Sequence, residues 1–162
     1  EGRNRVHSMA LLHQYLYQGD SFSTVDMNAY LDTLITNLFE TYNVHSDKVI
    51  LQKDISNIKL DIDTVVPLGL IVNELISNAL KHAFVNQEKG ILSISLREEK
   101  GQLVLIVKDN GPGFDFRKAK LKNSFGLKLI QNLAEKLEAT IHFQNNNGSE
   151  ITVEIPEYSL QP

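Results

Sequence analysis

A long amphipathic helix in the middle of the chain constrains the fold most. Its pattern begins at Asp63 or Thr64, either of which can serve as the N-cap, and continues to about Phe84. Pro67 is expected in its opening turn, where proline is tolerated. One side of the helix is apolar and must pack against another layer of structure. The residues on that side are Leu68, Val72, Leu75, Ile76, Ala79 and Ala83.

Alternating patterns around this helix predict that the other layer is a sheet. The predicted strands are Val49–Asp54, Ile58–Ile62, Ile91–Arg97, Leu103–Lys108, Thr140–Gln144 and Ile151–Ile155. A further helix is predicted from about Gly126 to Leu137. Mostly antiparallel strands with a few helices predict an α+β fold, a two-layer α/β sandwich with a mixed, mostly antiparallel sheet.

The N-terminal part is predicted to be helical. Residues 3–18 show helical spacing, and Ser23 or Thr24 is expected to cap a second helix. We therefore divide the chain into a helical segment, 1–44, and a second domain, 45–162; alternatively, the helices simply pack on that domain. The apolar stripe of the second helix is Met27, Tyr30, Leu31, Leu34, Ile35, Leu38, Phe39 and Tyr42.

Composition narrows the functional classes. A net charge of -4 gives no reason to expect nucleic acid as a partner. The absence of cysteine excludes disulfides and thiolate metal sites and fits a cytoplasmic protein. The apolar runs Leu68–Val72 and Leu103–Val107 are shorter than the ~20 residues that cross a bilayer. Because the helical pattern starts almost at Glu1, we expect the sequence to be part of a longer protein.

The polar side of the long helix carries a distinctive set of groups. Helical residues advance by about 100°, so one face collects Glu74, Asn78, Lys81 and His82. This face either is solvated or binds a ligand, and its apolar flanks favour the ligand. Mg²⁺ prefers oxygen and often shares substrate phosphates, so the Asn78 amide is a sufficient protein ligand. Glu74 could accept a proton and Lys81 could neutralise a phosphate.

Four further features follow along the chain. In Asp109-Asn-Gly-Pro-Gly113 the glycines let a flat ligand approach the main chain, and Asp109 can accept a hydrogen bond from adenine's amino group; alternatively, the motif is only a tight turn. Ser124 could cap the helix that follows, whose N-terminus suits a phosphate. Ser149 is a candidate contact for adenine or water. A basic loop, either solvated or facing a triphosphate, contains Arg117, Lys118, Lys120 and Lys122.

Taken in order, these motifs resemble the Bergerat ATP-binding fold of DNA gyrase, heat-shock ATPase chaperones, mismatch-repair ATPases and sensor histidine kinases. The motifs are Glu74-x-x-x-Asn78, Asp109-x-Gly111-x-Gly113, Phe125-Gly126-Leu127 and Gly148-Ser149. In addition, Arg5–Tyr17 resembles the second helix of the dimerisation and histidine-phosphotransfer hairpin in one class of histidine kinases. Asn73 stands where the related HWE kinases carry histidine, so the sequence resembles their sister class.

The resemblance implies roles for individual residues. Asn78 would bind Mg²⁺, Glu74 would occupy the acid position of the same motif, and Asp109 would read adenine. The positions implied near the phosphates or ribose are Lys81 and His82. Gly111 and Gly113 would lie in the glycine box. The end of the ATP lid would contain Phe125, Gly126 and Leu127, and Ser149 would lie beside adenine. The second glycine box is atypical, because Lys122–Phe125 contains no glycine.

The leading functional hypothesis is the catalytic part of a histidine kinase with ATP and Mg²⁺ as cofactors. None of His7, His13, His45, His82 and His142 lies in an acceptor motif, so the phosphoacceptor helix is expected before Glu1. Other expected partners are a response regulator receiver domain and a second copy in a homodimer. The alternatives are an ATP hydrolase with Glu74 as the base and a non-catalytic nucleotide-binding or dimerisation module.

Overall fold

In the part of the chain that the structure describes, three helices and a five-stranded sheet form two packed layers. The computed structural model describes residues 10, 24–85, 89–113, 125–156 and 158. The helices of this described part are α1 (Met27–Thr41), α2 (Ile62–Asn78) and α3 (Phe125–Lys136). The predicted α+β sandwich is confirmed.

The sheet has mixed strand directions. Its order is β2-β4-β5-β7-β6, in which β2 and β4 are parallel and all other neighbours are antiparallel. The predicted mixed, mostly antiparallel character is confirmed. Two short strands, β1 and β3, form a separate antiparallel pair. The strands are β1 (Thr24–Asp26), β2 (Val49–Ile55), β3 (Lys59–Asp61), β4 (Gly90–Glu99), β5 (Gln102–Asp109), β6 (Thr140–Asn145) and β7 (Ser149–Ile155).

The core lies between α2 and the central strands. Alternate residues of β4 point to the helices and are buried, including Leu92, Ile94 and Leu96. The helical stretch Ile62–Ala83 is long and apolar enough to cross a membrane by length and composition. Because 72% of that window is buried inside the protein, it serves here as the core helix that the sequence predicted.

Helix α1 begins later than predicted. Its N-cap is Asp26, whose Oδ1 accepts hydrogen bonds from the backbone N–H groups of Asn28 (3.1 Å) and Ala29 (3.4 Å). The prediction of Thr24 as the cap is wrong, because Thr24 pairs with Asp61 in an extended strand. Ser23, the other predicted cap, and the predicted helix over residues 3–18 lie outside the described residues, apart from Ala10.

The apolar stripe of α1 packs into the same core as the sheet. Tyr30 and Leu34 are almost fully buried, and the Tyr30 ring lies so close to Gly69 of α2 that an added Cβ would collide with it. The described part of segment 1–44 therefore shares a core with the second segment. The division at residue 44 stays a prediction.

Helix α2 differs from its prediction at both ends. It begins at Ile62, not at Asp63 or Thr64, because β3 ends at Asp61, and no side chain caps it. Pro67 consequently lies in the second turn, where its missing N–H removes one hydrogen bond of the helix. At the other end, the chain continues through a single π turn, Ala79–Ala83, to the predicted end near Phe84.

Candidate functional site

A cleft of about 370 Å³ opens beside the C-terminal end of α2. Its size suits a small organic ligand. Its polar lining comes from Asn78, His82, Asp109 and Ser149. The remaining lining is largely apolar and consists of Leu75, Ala79, Ala83, Pro112, Gly113, Leu127, Ile130, Phe143 and Ile151. The structure thus joins one end of α2, the end of β5, the start of α3 and the β6–β7 hairpin.

The cleft floor, formed by Asp109 and Ser149, is held by main-chain hydrogen bonds. Asp109 is 8% exposed and ends strand β5. Its Oδ1 accepts hydrogen bonds from the backbone N–H groups of Gly111 (2.9 Å) and Ser149 (3.3 Å). Both bonds reach the same oxygen, so main-chain groups orient the carboxylate in the cleft. Those hydrogen bonds offset the free-energy cost of removing the charged carboxylate from water.

Two glycines permit the close approach of the surrounding main chain. Gly148 has a φ of +130°, and a Cβ there would collide with the carbonyl oxygen of Asp109. A Cβ on Gly111 would lie 2.5 Å from the carbonyl oxygen of Ala83. Any larger residue at either position would push the turns away from the floor.

Asn110 attaches the Asp109 turn to strand β4. Its Oδ1 accepts a hydrogen bond from the Ile91 N–H (2.8 Å), and its own N–H donates to the Ile91 carbonyl (3.2 Å). No role for Asn110 was predicted from the sequence. The only signal was an Asx residue at the end of a strand, a position where such side chains often bond to nearby backbone.

The polar face of α2 is only partly turned toward the cleft. Asn78 and His82, the cleft rim, both line it, whereas Glu74 and Lys81 are not among its lining residues. Glu74 is 5% exposed, and the Lys81 Nζ lies 5.5 Å from the centre of the Tyr42 ring on the α1 side. The π turn contributes to this difference, because i→i+5 bonding rotates residues after Asn78 relative to a regular α-helix.

The remaining predicted residues lie near one side of the cleft. Leu127 is buried in its wall, Gly126 is half-buried in the first turn of α3, and Phe125 begins that helix. Gly111 shapes the floor without lining it. The predicted cap Ser124 lies outside the described residues. So does the basic loop, which contains Arg117, Lys118, Lys120 and Lys122.

The apolar walls were missed by the sequence analysis. Leu75, Ala79 and Ala83 repeat every four residues and were assigned only to the core, although they also face the cleft. Phe143 and Ile151 oppose each other on β6 and β7. Their alternating pattern predicts buried strand residues but does not say which of them border a cavity.

Comparisons with known proteins agree with this architecture. Residues 63–159 match the family model of histidine kinase-, DNA gyrase B-, and HSP90-like ATPases. Residues 1–42 match a second family model, described as histidine kinase.

Curated relatives and solved structures are histidine kinases. The chain is 26% identical to blue-light-activated histidine kinase 2 of Erythrobacter litoralis, over 94% of this chain and 45% of that protein. It is 35% identical to sensor histidine kinase YdfH of Bacillus subtilis, over 60% of this chain and 24% of that protein. The chain therefore spans less than half of either relative. The histidine kinase domain of the E. litoralis EL346 blue-light-activated kinase shares its fold, with a TM-score of 0.84 and 22% identity over 95% of this chain and 73% of that one.

Proposed function

The chain belongs to the family of histidine kinase-, DNA gyrase B-, and HSP90-like ATPases, and we propose that it is the ATP-binding catalytic part of a two-component sensor histidine kinase. It would present the γ-phosphate of ATP to a histidine on a phosphoacceptor helix of the parent kinase. Positioning and charge neutralisation supply most of the rate in phosphoryl transfer. The match of residues 1–42 to a histidine kinase model supports the kinase over other members of the family.

The orientation of Asp109 is the observation that carries the proposal. An acceptor fixed by two main-chain N–H groups inside a mostly apolar cleft suits a flat base with an amino group at its edge. Adenine has this amino group, whereas guanine presents a carbonyl oxygen at the same position. We infer that Asp109 selects adenine and that Ser149 lies beside it.

Magnesium would be held jointly by the protein and the nucleotide. Among the described residues, no cluster of three His, Cys, Asp or Glu side chains could hold a metal. Asn78 lies on the cleft rim and offers one amide oxygen, which fits a cation that keeps waters and binds substrate phosphates. When bound, Mg²⁺ would neutralise phosphate charge. His82 would lie near the phosphates or ribose.

The remaining site residues complete the proposed nucleotide contacts. Gly111 and Gly113 would let the adenine ring approach the main chain. Phe125, Gly126 and Leu127 would form the end of the lid over the nucleotide. Leu127 has the firmest support, because it is buried and lines the cleft.

Glu74 is the residue that separates the kinase from a hydrolase. We propose that it acts as the acid of the α2 motif. Because it is buried and is not among the residues that line the cleft, the described conformation does not favour activation of water by Glu74. Supplying the acceptor helix and Mg-ATP would distinguish the two: phosphohistidine formation supports the kinase, and phosphate release without it supports the hydrolase.

Partners and location are also part of the proposal. We infer a response regulator receiver domain as the phosphate acceptor that follows the histidine, a homodimer of the parent kinase, and a cytoplasmic position for this domain. Mixing the parent kinase, ATP and candidate receiver domains would test the first of these through phosphate transfer.

Calorimetric titration with ATP and GTP, each with and without Mg²⁺, tests the proposed site. Adenine-selective binding that is strengthened by Mg²⁺ is the expected result. A folded protein that binds no ATP at millimolar concentration would contradict the proposal and favour a non-catalytic module.

A further inference from the structure

Lys81 makes an unexpected contact with helix α1. It lies in the π turn directly after α2, and its Nζ is 5.5 Å from the centre of the Tyr42 ring. A cation within about 6 Å of an aromatic ring centre is attracted by the electron-rich face of that ring. Both side chains are half-buried, so the contact is only partly screened by water.

Tyr42 is held in place by a well-formed helix end. The N–H of Asn43 donates to the Glu40 carbonyl (3.1 Å), and the N–H of Val44 donates to the Phe39 carbonyl (2.9 Å). Asn43 adopts the left-handed conformation, with a φ of +53°. This pattern is the Schellman motif. The motif is often accompanied by an apolar contact between the two residues at the Val44 and Phe39 positions, and both of these side chains pack against the core here. The ring is therefore presented by a rigid element.

Lys81 is also placed next to the cleft rim. It follows Asn78 by three residues and directly precedes His82, and both of those residues line the cleft. An ammonium group has three donors, so one side can face a ring while the other meets an anion. A lysine restrained in this way loses less rotamer freedom when it binds a phosphate.

We propose that Tyr42 is a positioning residue that holds the Lys81 ammonium ready for the nucleotide phosphates. This inference rests on the proposed function, since it requires ATP in the cleft. It adds a contribution from α1, an element that supplies no residue to the described cleft lining. The contact acts on the phosphate end of the ligand and leaves the base end untouched.

Calorimetric titration of the 162-residue chain with Mg-ATP and with adenosine tests this proposal. Tyr42→Leu keeps an apolar side chain but removes the ring face. It should weaken Mg-ATP binding about two- to fivefold, the usual size of a partly exposed cation–π contact, and leave adenosine binding unchanged. Tyr42→Phe restores the ring face and should bring Mg-ATP affinity back to within about twofold of the original value.

A double-mutant cycle with Lys81→Met shows whether the effect passes through the lysine. Once Lys81 has lost its charge, Tyr42→Leu should cause no further loss of Mg-ATP affinity. Additive losses in the double variant would overturn the proposal, because the ring would then act independently of Lys81.

Each other outcome has a definite meaning. Equal weakening of adenosine and Mg-ATP would show that Tyr42 has only a structural role. Tighter Mg-ATP binding by Tyr42→Leu would show that the ring withholds the lysine, which also overturns the proposal. Failure of the original chain to bind Mg-ATP would sink the proposed function itself, whereas binding that is insensitive to Tyr42→Leu would sink only this inference.

Discussion

The cleft floor and the cleft rim are built in different ways. At the floor, Asp109 is buried and its carboxylate is oriented by two main-chain N–H groups. At the rim, Asn78 is half-exposed and His82 is exposed, and both are side chains at the end of a helix. The floor therefore depends on the close approach of backbone segments, whereas the rim depends on individual side chains.

This difference assigns base selectivity to the floor and the binding of the metal ion and phosphates to the rim. A preorganised acceptor discriminates between bases because it cannot move to suit the wrong one. Exposed side chains at the rim can adjust to a metal ion and to phosphates. Substitutions at the floor should consequently change folding or base selectivity, while those at the rim should change the binding of Mg²⁺ and of the phosphates.

Gly148→Ala should have the largest effect, because it disrupts the backbone packing that forms the floor and so destabilises the fold. Its φ of +130° is strained for an L residue, and the new Cβ would collide with the Asp109 carbonyl. We expect a loss of roughly 3 kcal/mol in unfolding free energy. Urea unfolding followed by circular dichroism would measure it.

Gly101→Ala is the matched control for that substitution. Gly101 also has a positive φ, +79°, but a Cβ there meets nothing within 4 Å. Only the conformational cost remains, about 1 kcal/mol. Similar losses in the two variants would contradict the idea that the floor needs a close backbone approach.

Asp109→Asn should change base selectivity without unfolding the protein. The Asn oxygen can still accept from Gly111 and Ser149, but an NH₂ donor replaces Oδ2 and faces the amino group of adenine. We expect ATP affinity to fall roughly 10- to 100-fold, with little change for GTP, in calorimetric titration. Equal losses for both nucleotides would argue that the floor does not read the base.

Asn78→Ala should have a smaller and metal-specific effect at the rim. Loss of one amide oxygen should weaken Mg-ATP binding about tenfold and leave binding in EDTA unchanged. Titrations with and without Mg²⁺ measure both quantities. A matching loss in EDTA would mean that Asn78 binds the nucleotide directly, and the contrast between floor and rim would then fail.

Tyr158→Phe should have the smallest effect, far from both regions. The Tyr158 hydroxyl donates to Glu98 Oε2 (2.6 Å), near the end of β4 opposite the cleft. This hydrogen bond, with a smaller effect of burial, raises the pKa of Tyr158 from 10.0 to about 12.

Because folding favours the neutral phenol, that contribution is complete below pH 10 and is lost as the pH rises through about 12. Tyr158→Phe should cost up to about 1 kcal/mol at neutral pH, with the difference from the original chain shrinking above pH 10. Unfolding at several pH values measures it. ATP affinity should not change, and a change would show that the cleft responds to remote packing.

Much of the fold could be predicted from local patterns. The apolar stripe of α1, including Met27 and Leu31, is buried as predicted, because helical periodicity needs no knowledge of distant partners. The glycine turn after β5 was also predicted: Gly113 adopts a positive φ there, whereas Gly111 does not. Helix starts were less accurate, because the short β1–β3 pairing decides where α1 and α2 begin.

By itself, then, the sequence determined the order of elements, the sheet layer behind α2, and the motifs of Asn78 and Asp109 that bear the resemblance. Only the tertiary structure decided that Ser149 donates to Asp109 across 40 positions of the sequence, that β2 runs parallel to β4, and that Lys81 turns toward Tyr42. The physical reason is range: periodicity and turn propensity act between near neighbours. Hydrogen bonds between distant strands and the side-chain directions after a π turn depend on how the whole core packs.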